Sequence, residues 1–406
     1  MRILFALLFL FVIQTQAAEL HTVLPLQKRL ETEIQKMTSA GHLRPAYHNS
    51  HEKLWRHQGV DIPGAWDDYW SNPALTVYVL LRALPHVSSQ TRTTLRAYIQ
   101  KEWNDCPPYL FTHCGWRNGA PREAFDIPEE TFLYYASGAI GNASGQRLDP
   151  GVYDKWPGFS FNPFNIYACA RYAGEFGAAK SILEKVSSRV SPYPREIVTA
   201  DDPINRRPHL LNMYLAGYEG FLKLQSLAGV PLSEDVKAWR ENAYNDLIGI
   251  LTTTKSSELR QTEAGGFLYL VPEVADQLRS RLTPAQLSQI RDSINEYDSY
   301  TAPYWFVAGM DEVDRLGPRR SSQLEEGSTS LYYNYWSLFN AKALLLKESQ
   351  QDLELYLDVP AVWRGDLFYI SNLVSVIEAG IEAEGPSVDR TGRTPRTRRA
   401  PGSSRR

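Results

Sequence analysis

Six prolines, at positions 73, 128, 163, 208, 272 and 303, each stand where a helix can begin, and this restricts the fold more than any other feature of the chain. Proline suits the first turn of a helix, because the N–H it lacks would have no partner there anyway. After Pro208 the run Leu210-Leu211-Asn212-Met213-Tyr214-Leu215 continues through Phe221 and Leu224 to Gly229, apolar on nearly every side. A helix with no wet face must be covered all round by protein. The next stretch, Ser233 to Leu251, is different. Val236, Trp239, Ala243, Leu247 and Leu251 recur at three- and four-residue spacing among charged residues, giving one apolar stripe. A buried helix is followed by an amphipathic one.

The hairpin recurs along the chain. Pro73 opens the nearly continuous apolar run Leu75–Leu81, and Ser88–Trp103 follows with Leu95, Tyr98, Ile99 and Trp103 at helical spacing. Pro163 opens a run from Phe164 to Phe176, and Ala178–Val190 follows with Ile182, Leu183, Val186 and Val190 on one stripe. Pro128, Pro272 and Pro303 supply further starts, and a last pair spans roughly Ser330–Lys347 and Trp363–Glu382. Leu24–Met37 is amphipathic and belongs outside, while Phe267–Val271 is the one stretch that reads as a short strand. Successive prolines lie 31 to 64 residues apart, a period that indicates stacked or circularly closed helix pairs. The expected fold is all-α: an (α/α)n toroid of about six helical hairpins, with apolar inner helices and amphipathic outer ones. Over residues 60–380 the helix pattern resembles the (α/α)-toroid, or six-hairpin, architecture of many carbohydrate-active enzymes. That resemblance is carried by pattern and by no family motif, so function has to be argued from the site.

Both ends of the chain stand apart from this domain. Residues 1–18 hold Arg2, an eleven-residue apolar run from Ile3 to Ile13 and the small residues Ala17 and Ala18. This is the layout of a cleaved secretory signal, too short to span a bilayer as a helix. Residues 385–406 hold seven Arg and one Asp among Pro, Gly, Ser and Thr, a composition expected to stay disordered. Residues 19–384 are expected to form a single toroid domain. The tail and Arg2 together carry a net seven positive charges, so the overall −3 leaves −10 on the rest. An acidic body argues against nucleic acid as a partner. The expected location is extracellular or periplasmic, with no transmembrane segment after the signal. In that oxidising setting Cys106 and Cys114, eight apart around Pro107-Pro108, are expected to close a small disulfide loop, and Cys169 is expected to be a buried thiol.

In a toroid the segments leading into the inner helices converge at one end, and here they are rich in aromatic rings and acids. They include Trp66-Asp67-Asp68-Tyr69-Trp70, Glu129-Glu130, Trp156, Asp201, Asp202, Arg206, Arg207, His209, Tyr300, Tyr304 and Trp305. Ring faces stack on sugars, and carboxylates accept hydrogen bonds from hydroxyls. Glycoside hydrolysis needs one protonated acid and one ionised carboxylate, and Asp67 or Asp68 with Glu129 or Glu130 is the preferred pair. The competing account is that acids in a first helical turn cap the helix and complement its dipole. An elimination lyase on a uronate polymer is the alternative, with His209 or Tyr304 as base and Arg206 or Arg207 neutralising the carboxylate. A non-catalytic glycan-binding or scaffold protein is the second alternative.

Other chemistries lack residues. His48, His51, Glu52 and His57 do not match zinc-protease spacing, and the chain has no glycine-rich phosphate loop, nucleophile elbow or paired Cys-x-x-Cys. No third acid closely follows Asp67-Asp68, as the metal motif of isoprenoid cyclases would want. The expected partner is a carbohydrate, with no cofactor and no metal.

Overall fold

The computed structural model describes residues 23–39, 73–110, 116–117, 120–121, 161–199, 208–253, 267–301, 337–357 and 367–384. In these the protein is all-helical, apart from a two-residue antiparallel pairing of Trp116–Arg117 with Ala120–Pro121. The helices are α1 (23–39), α2 (Pro73–Ala83), α3 (Ser89–Asp105), α4 (Phe164–Phe176), α5 (Ala179–Val186), α6 (Pro208–Ala228) and α7 (Glu234–Thr253). After them come α8 (Pro272–Arg281), α9 (Pro284–Thr301), α10 (337–346), α11 (Gln350–Glu354) and α12 (Leu367–Glu384). The starts at Pro128 and Pro303 lie outside the described residues.

The division into enclosed and one-sided helices follows the sequence pattern. Every residue of α2 is buried, as is nearly all of α6 from Leu210 to Phe221. In α7 only Val236, Ala243, Tyr244, Leu247, Ile250 and Leu251 are buried, which is the single stripe its spacing implies. Trp239 of that stripe is half-buried. In α1, Leu26, Leu30, Ile34 and Met37 face inward while Leu24 is exposed. α8 departs from the enclosed pattern, burying only Val274, Ala275 and Leu278.

Local chemistry sets the helix ends. Gly229 sits at φ +69, where a side chain would be strained. There the Gly229 N–H donates to the Ser226 carbonyl and the Val230 N–H to that of Gln225, the paired bonds of a Schellman stop. Ser88 and Ser233 cap α3 and α7 by accepting from Thr91 N and Val236 N. Residues 297–301, expected as an approach segment, are instead the last turn of α9.

Packing follows an order. α2 lies against α4, α4 against α6, α6 against α8, α8 against α10, α10 against α12, and α12 against α2 again. Of the other helices, α3 lies against α2, α5 against α4 and α6, α7 against α6, and α9 against α7 and α10. α1 bridges the two ends of the chain: Arg29 Nη2 donates to the Leu357 carbonyl at 3.0 Å, and Gln35 Nε2 to Thr91 Oγ1 at 3.4 Å. The α4–α6 contact brings backbone against backbone. A Cβ added at Gly217 would lie 2.8 Å from the Pro163 carbonyl oxygen, and one at Gly220 only 2.5 Å from Tyr167 Cα. Position 217 thus meets 163 and 220 meets 167, so α4 and α6 run parallel, and backbone touches backbone because glycine allows it.

Residues 267–270 form a buried turn, not the expected strand. The turn draws its hydrogen bonds from helix side chains in place of a neighbouring strand. Phe267 N donates to Ser337 Oγ at 2.8 Å, Asn212 Nδ2 donates to the Leu268 carbonyl at 3.2 Å, and Asn340 Nδ2 donates to that of Phe267 at 3.4 Å. Tyr269, at φ +60, tilts its ring against Phe164 at 5.2 Å.

Candidate functional site

Most residues singled out from the sequence lie outside the described residues: Trp66, Asp67, Asp68, Tyr69, Trp70, Glu129, Glu130, Trp156, Asp201, Asp202, Arg206, Arg207, Tyr304 and Trp305. His209 is the second residue of α6 and is half-buried, and Tyr300 is on the last turn of α9. Cys106 is buried directly after α3, and Cys114 lies outside the described residues, as do His48, His51, Glu52 and His57. Cys169 is a buried free thiol whose pKa burial raises, so it is a poor nucleophile.

Around the starts of α2, α4, α6, α10 and α12 the described residues form a band of buried amides and hydroxyls. Asn162 Oδ1 accepts from Phe164 N at 3.0 Å, and Asn165 Nδ2 donates to the Pro108 carbonyl at 3.0 Å. Asn212, Ser337 and Asn340 hold the 267–270 turn. Thr76 Oγ1 and both polar atoms of the Asn372 side chain are buried with no hydrogen-bond partner among the described residues. Each of these groups interrupts an apolar run, which is the one signal that marks them in the sequence.

A second polar assembly lies further along the same helices, where a cleft of about 370 Å³ opens between α4, α6 and α8. Tyr167, Ala170, Arg171, Gly174 and Glu175 reach it from α4. Glu219, Gly220 and Lys223 reach it from α6, Glu273 from α8 and Leu81 from α2. Tyr167 and Arg171 are one turn apart on α4 and so share a face. The Tyr167 hydroxyl donates to Glu273 Oε2 at 2.5 Å, and Arg171 Nη1 donates to Glu273 Oε1 at 3.2 Å. Burial pushes the Tyr167 phenol well above its ordinary range, and the charge of Glu273 adds to the effect. That phenol is a fixed donor near neutral pH, not a base. Burial works against the charge of Arg171, but Tyr167 and Glu273 outweigh it and hold the guanidinium protonated.

Glu219 is held from outside the cleft. Tyr244 Oη donates to its Oε1 at 3.0 Å, and Arg240 Nη1 lies 3.4 Å from its Oε2. Behind the cleft the Tyr167 ring packs on Tyr78 at 5.7 Å, and Arg82 Nη1 reaches the Tyr78 hydroxyl at 3.3 Å. Arg82 in turn donates to Ser375 Oγ at 3.1 Å and pairs with Glu378, which His86 Nε2 also approaches at 3.5 Å. Burial alone would raise the Glu378 carboxyl. The Arg82 charge and the hydrogen bonds from His86 and Arg82 overcome this and hold it at about 2. Two polar clusters, one joining α12 to α2 and one joining α4 to α8, thus meet at the Tyr78–Tyr167 ring contact. Their members were not singled out from the sequence, since a tyrosine and an arginine in an apolar helix do not reveal which acid on a distant helix they meet.

Among the described residues no group of three or more His, Cys, Asp or Glu is placed to hold a metal ion, and no helix is long and apolar enough to cross a membrane. Comparison with models of known families, with curated proteins and with solved structures returns no match.

Proposed function

We propose that the protein is a secreted enzyme of the helical-toroid type that cleaves glycosidic bonds in a polysaccharide or oligosaccharide. The observation that carries this reading is the order of helix contacts, which runs from α2 through α4, α6, α8, α10 and α12 and returns to α2. A ring of this kind gathers the segments that lead into its inner helices at one mouth. In this chain those segments hold Asp67, Asp68, Glu129 and Glu130 among Trp66, Trp70, Trp156 and Trp305. In the mechanism proposed, one acid of the pair protonates the leaving oxygen. The other acts as nucleophile, or as base toward water, according to their separation.

The test is a panel of neutral and acidic glycans assayed for new reducing ends, with ultraviolet absorbance followed for unsaturated products. Reducing ends without absorbance support hydrolysis. Absorbance would instead establish elimination, with His209→Ala and Tyr304→Phe then testing the base. Glu129→Gln, Glu130→Gln, Asp67→Asn and Asp68→Asn should identify the pair by loss of turnover of about a hundredfold or more. Binding that persists with no turnover in the unaltered protein would overturn the enzymatic reading.

A further inference from the structure

We propose that the cleft between α4, α6 and α8 is a binding site for a small hydroxylated monocarboxylate, of the sugar-acid or hydroxy-acid class, whose carboxylate is received by Lys223 and Arg171. The charges around the cleft lead to this ligand. Three carboxylates line it, and each already has a cation: Glu273 has Arg171, Glu219 has Arg240, and Glu175 has Arg96. The remaining lining cation, Lys223, has no carboxylate in ion-pair range among the described residues. Two of the three acids are paired by arginines that stand outside the lining, Arg240 and Arg96, so once every acid is paired Lys223 is the one charge left over, and a ligand with a single negative charge pairs with it. Arg171 spends Nη1 on Glu273 and remains partly exposed, which leaves it N–H groups for the same anion.

The body of the ligand is set by what else faces the cleft. Each oxygen of Glu273 and Glu219 accepts one hydrogen bond, so lone pairs remain for a ligand's hydroxyls. The volume of about 370 Å³ is at the small end for ligand sites, which suits a body the size of one monosaccharide. Gly174 lines the cleft with nothing within 4 Å of where its Cβ would be, so packing does not require glycine there. Its lack of a side chain keeps the cleft open. The site is distinct from the mouth proposed for glycan cleavage, since Ala170, Arg171, Gly174 and Glu175 lie beyond the first turn of α4, and Glu219, Gly220 and Lys223 lie in the second half of α6. It does not depend on that activity.

The experiment is calorimetric titration of the full chain with glucuronate, glucose and glucosamine, for the unaltered protein and for Lys223→Gln, Lys223→Arg and Gly174→Leu. Saturable binding of glucuronate is expected, with glucose and glucosamine weaker by about tenfold or more, the value of one charge-assisted hydrogen bond. Lys223→Gln should weaken glucuronate by a similar factor, Lys223→Arg should largely retain it, and Gly174→Leu should block it with no loss of thermal stability. Absence of glucuronate binding up to about 10 mM, a free energy too small for a built site, overturns the proposal. It is equally overturned by affinity unchanged in Lys223→Gln and Gly174→Leu, or by glucosamine binding as well as glucuronate. Because binding is read without turnover, failure here leaves the glycan-cleavage reading standing, and the reverse also holds.

Discussion

The Tyr167 hydroxyl and Glu273 Oε2 lie 2.5 Å apart across 106 residues of chain, joining the first turn of α4 to the first turn of α8. α8 has the least enclosed core face of the ring of contacting helices, and this bond with Arg171 beside it compensates by a polar route. Tyr167→Phe keeps the ring packing on Tyr78 and Phe164 but removes the donor. The expected loss is about 1.5–3 kcal/mol of unfolding free energy, the range for a hydrogen bond to a charged group. Urea denaturation followed by circular dichroism measures it, and an unchanged midpoint would mean the bond contributes nothing net.

Two glycines on facing helices should respond in opposite directions. Gly220→Ala puts a methyl 2.5 Å from Tyr167 Cα, a backbone atom that cannot move aside, so α4 and α6 must separate. A cost of about 1–3 kcal/mol is expected from overpacking. Gly174→Ala meets open space in the last turn of α4 and should stabilise by about 0.5 kcal/mol. Thermal unfolding of the two variants side by side provides the comparison.

Glu378 makes stability depend on acid. Its folded pKa, about 2, lies below the ordinary 4.5, so the folded state binds a proton less readily than the unfolded chain. The stabilisation is therefore complete above pH 4.5 or so and is lost as pH falls toward 2. With the side chain 32% exposed, its size is on the order of 2 kcal/mol after allowance for screening. Glu378→Gln should lower stability at pH 7 and flatten the unfolding free energy between pH 5 and 2, measured by urea titration across that range. A variant with the same slope as the unaltered protein would assign the acid sensitivity to other groups.

Thr76 buries a hydroxyl that finds no partner among the described residues. Thr76→Val has nearly the same shape and removes the unpaired group, so it should stabilise by about 1 kcal/mol, the lower end of the desolvation penalty. A fall in melting temperature would show instead that the hydroxyl has a partner in solution.

The features legible in the sequence are those carried by neighbours along the chain. Helix starts at Pro73 and Pro208, the stop at Gly229, the enclosed faces of α2 and α6 and the single stripes of α1 and α7 all follow from 3.6-residue spacing and backbone chemistry, which act over a few residues. Reasoning from neighbours along the chain failed at Phe267–Val271. Its apolar residues fit a strand, but Ser337, Asn212 and Asn340 supply the hydrogen bonds that make it a turn. Partnerships such as Tyr167 with Glu273 and Arg82 with Glu378 were decided only by the tertiary structure, because helix periodicity says which way a side chain faces but not which helix stands opposite. The cleft with its excess cation at Lys223 is a product of that second level: its walls come from four helices, and its charge emerges only once each acid has found its arginine in three dimensions.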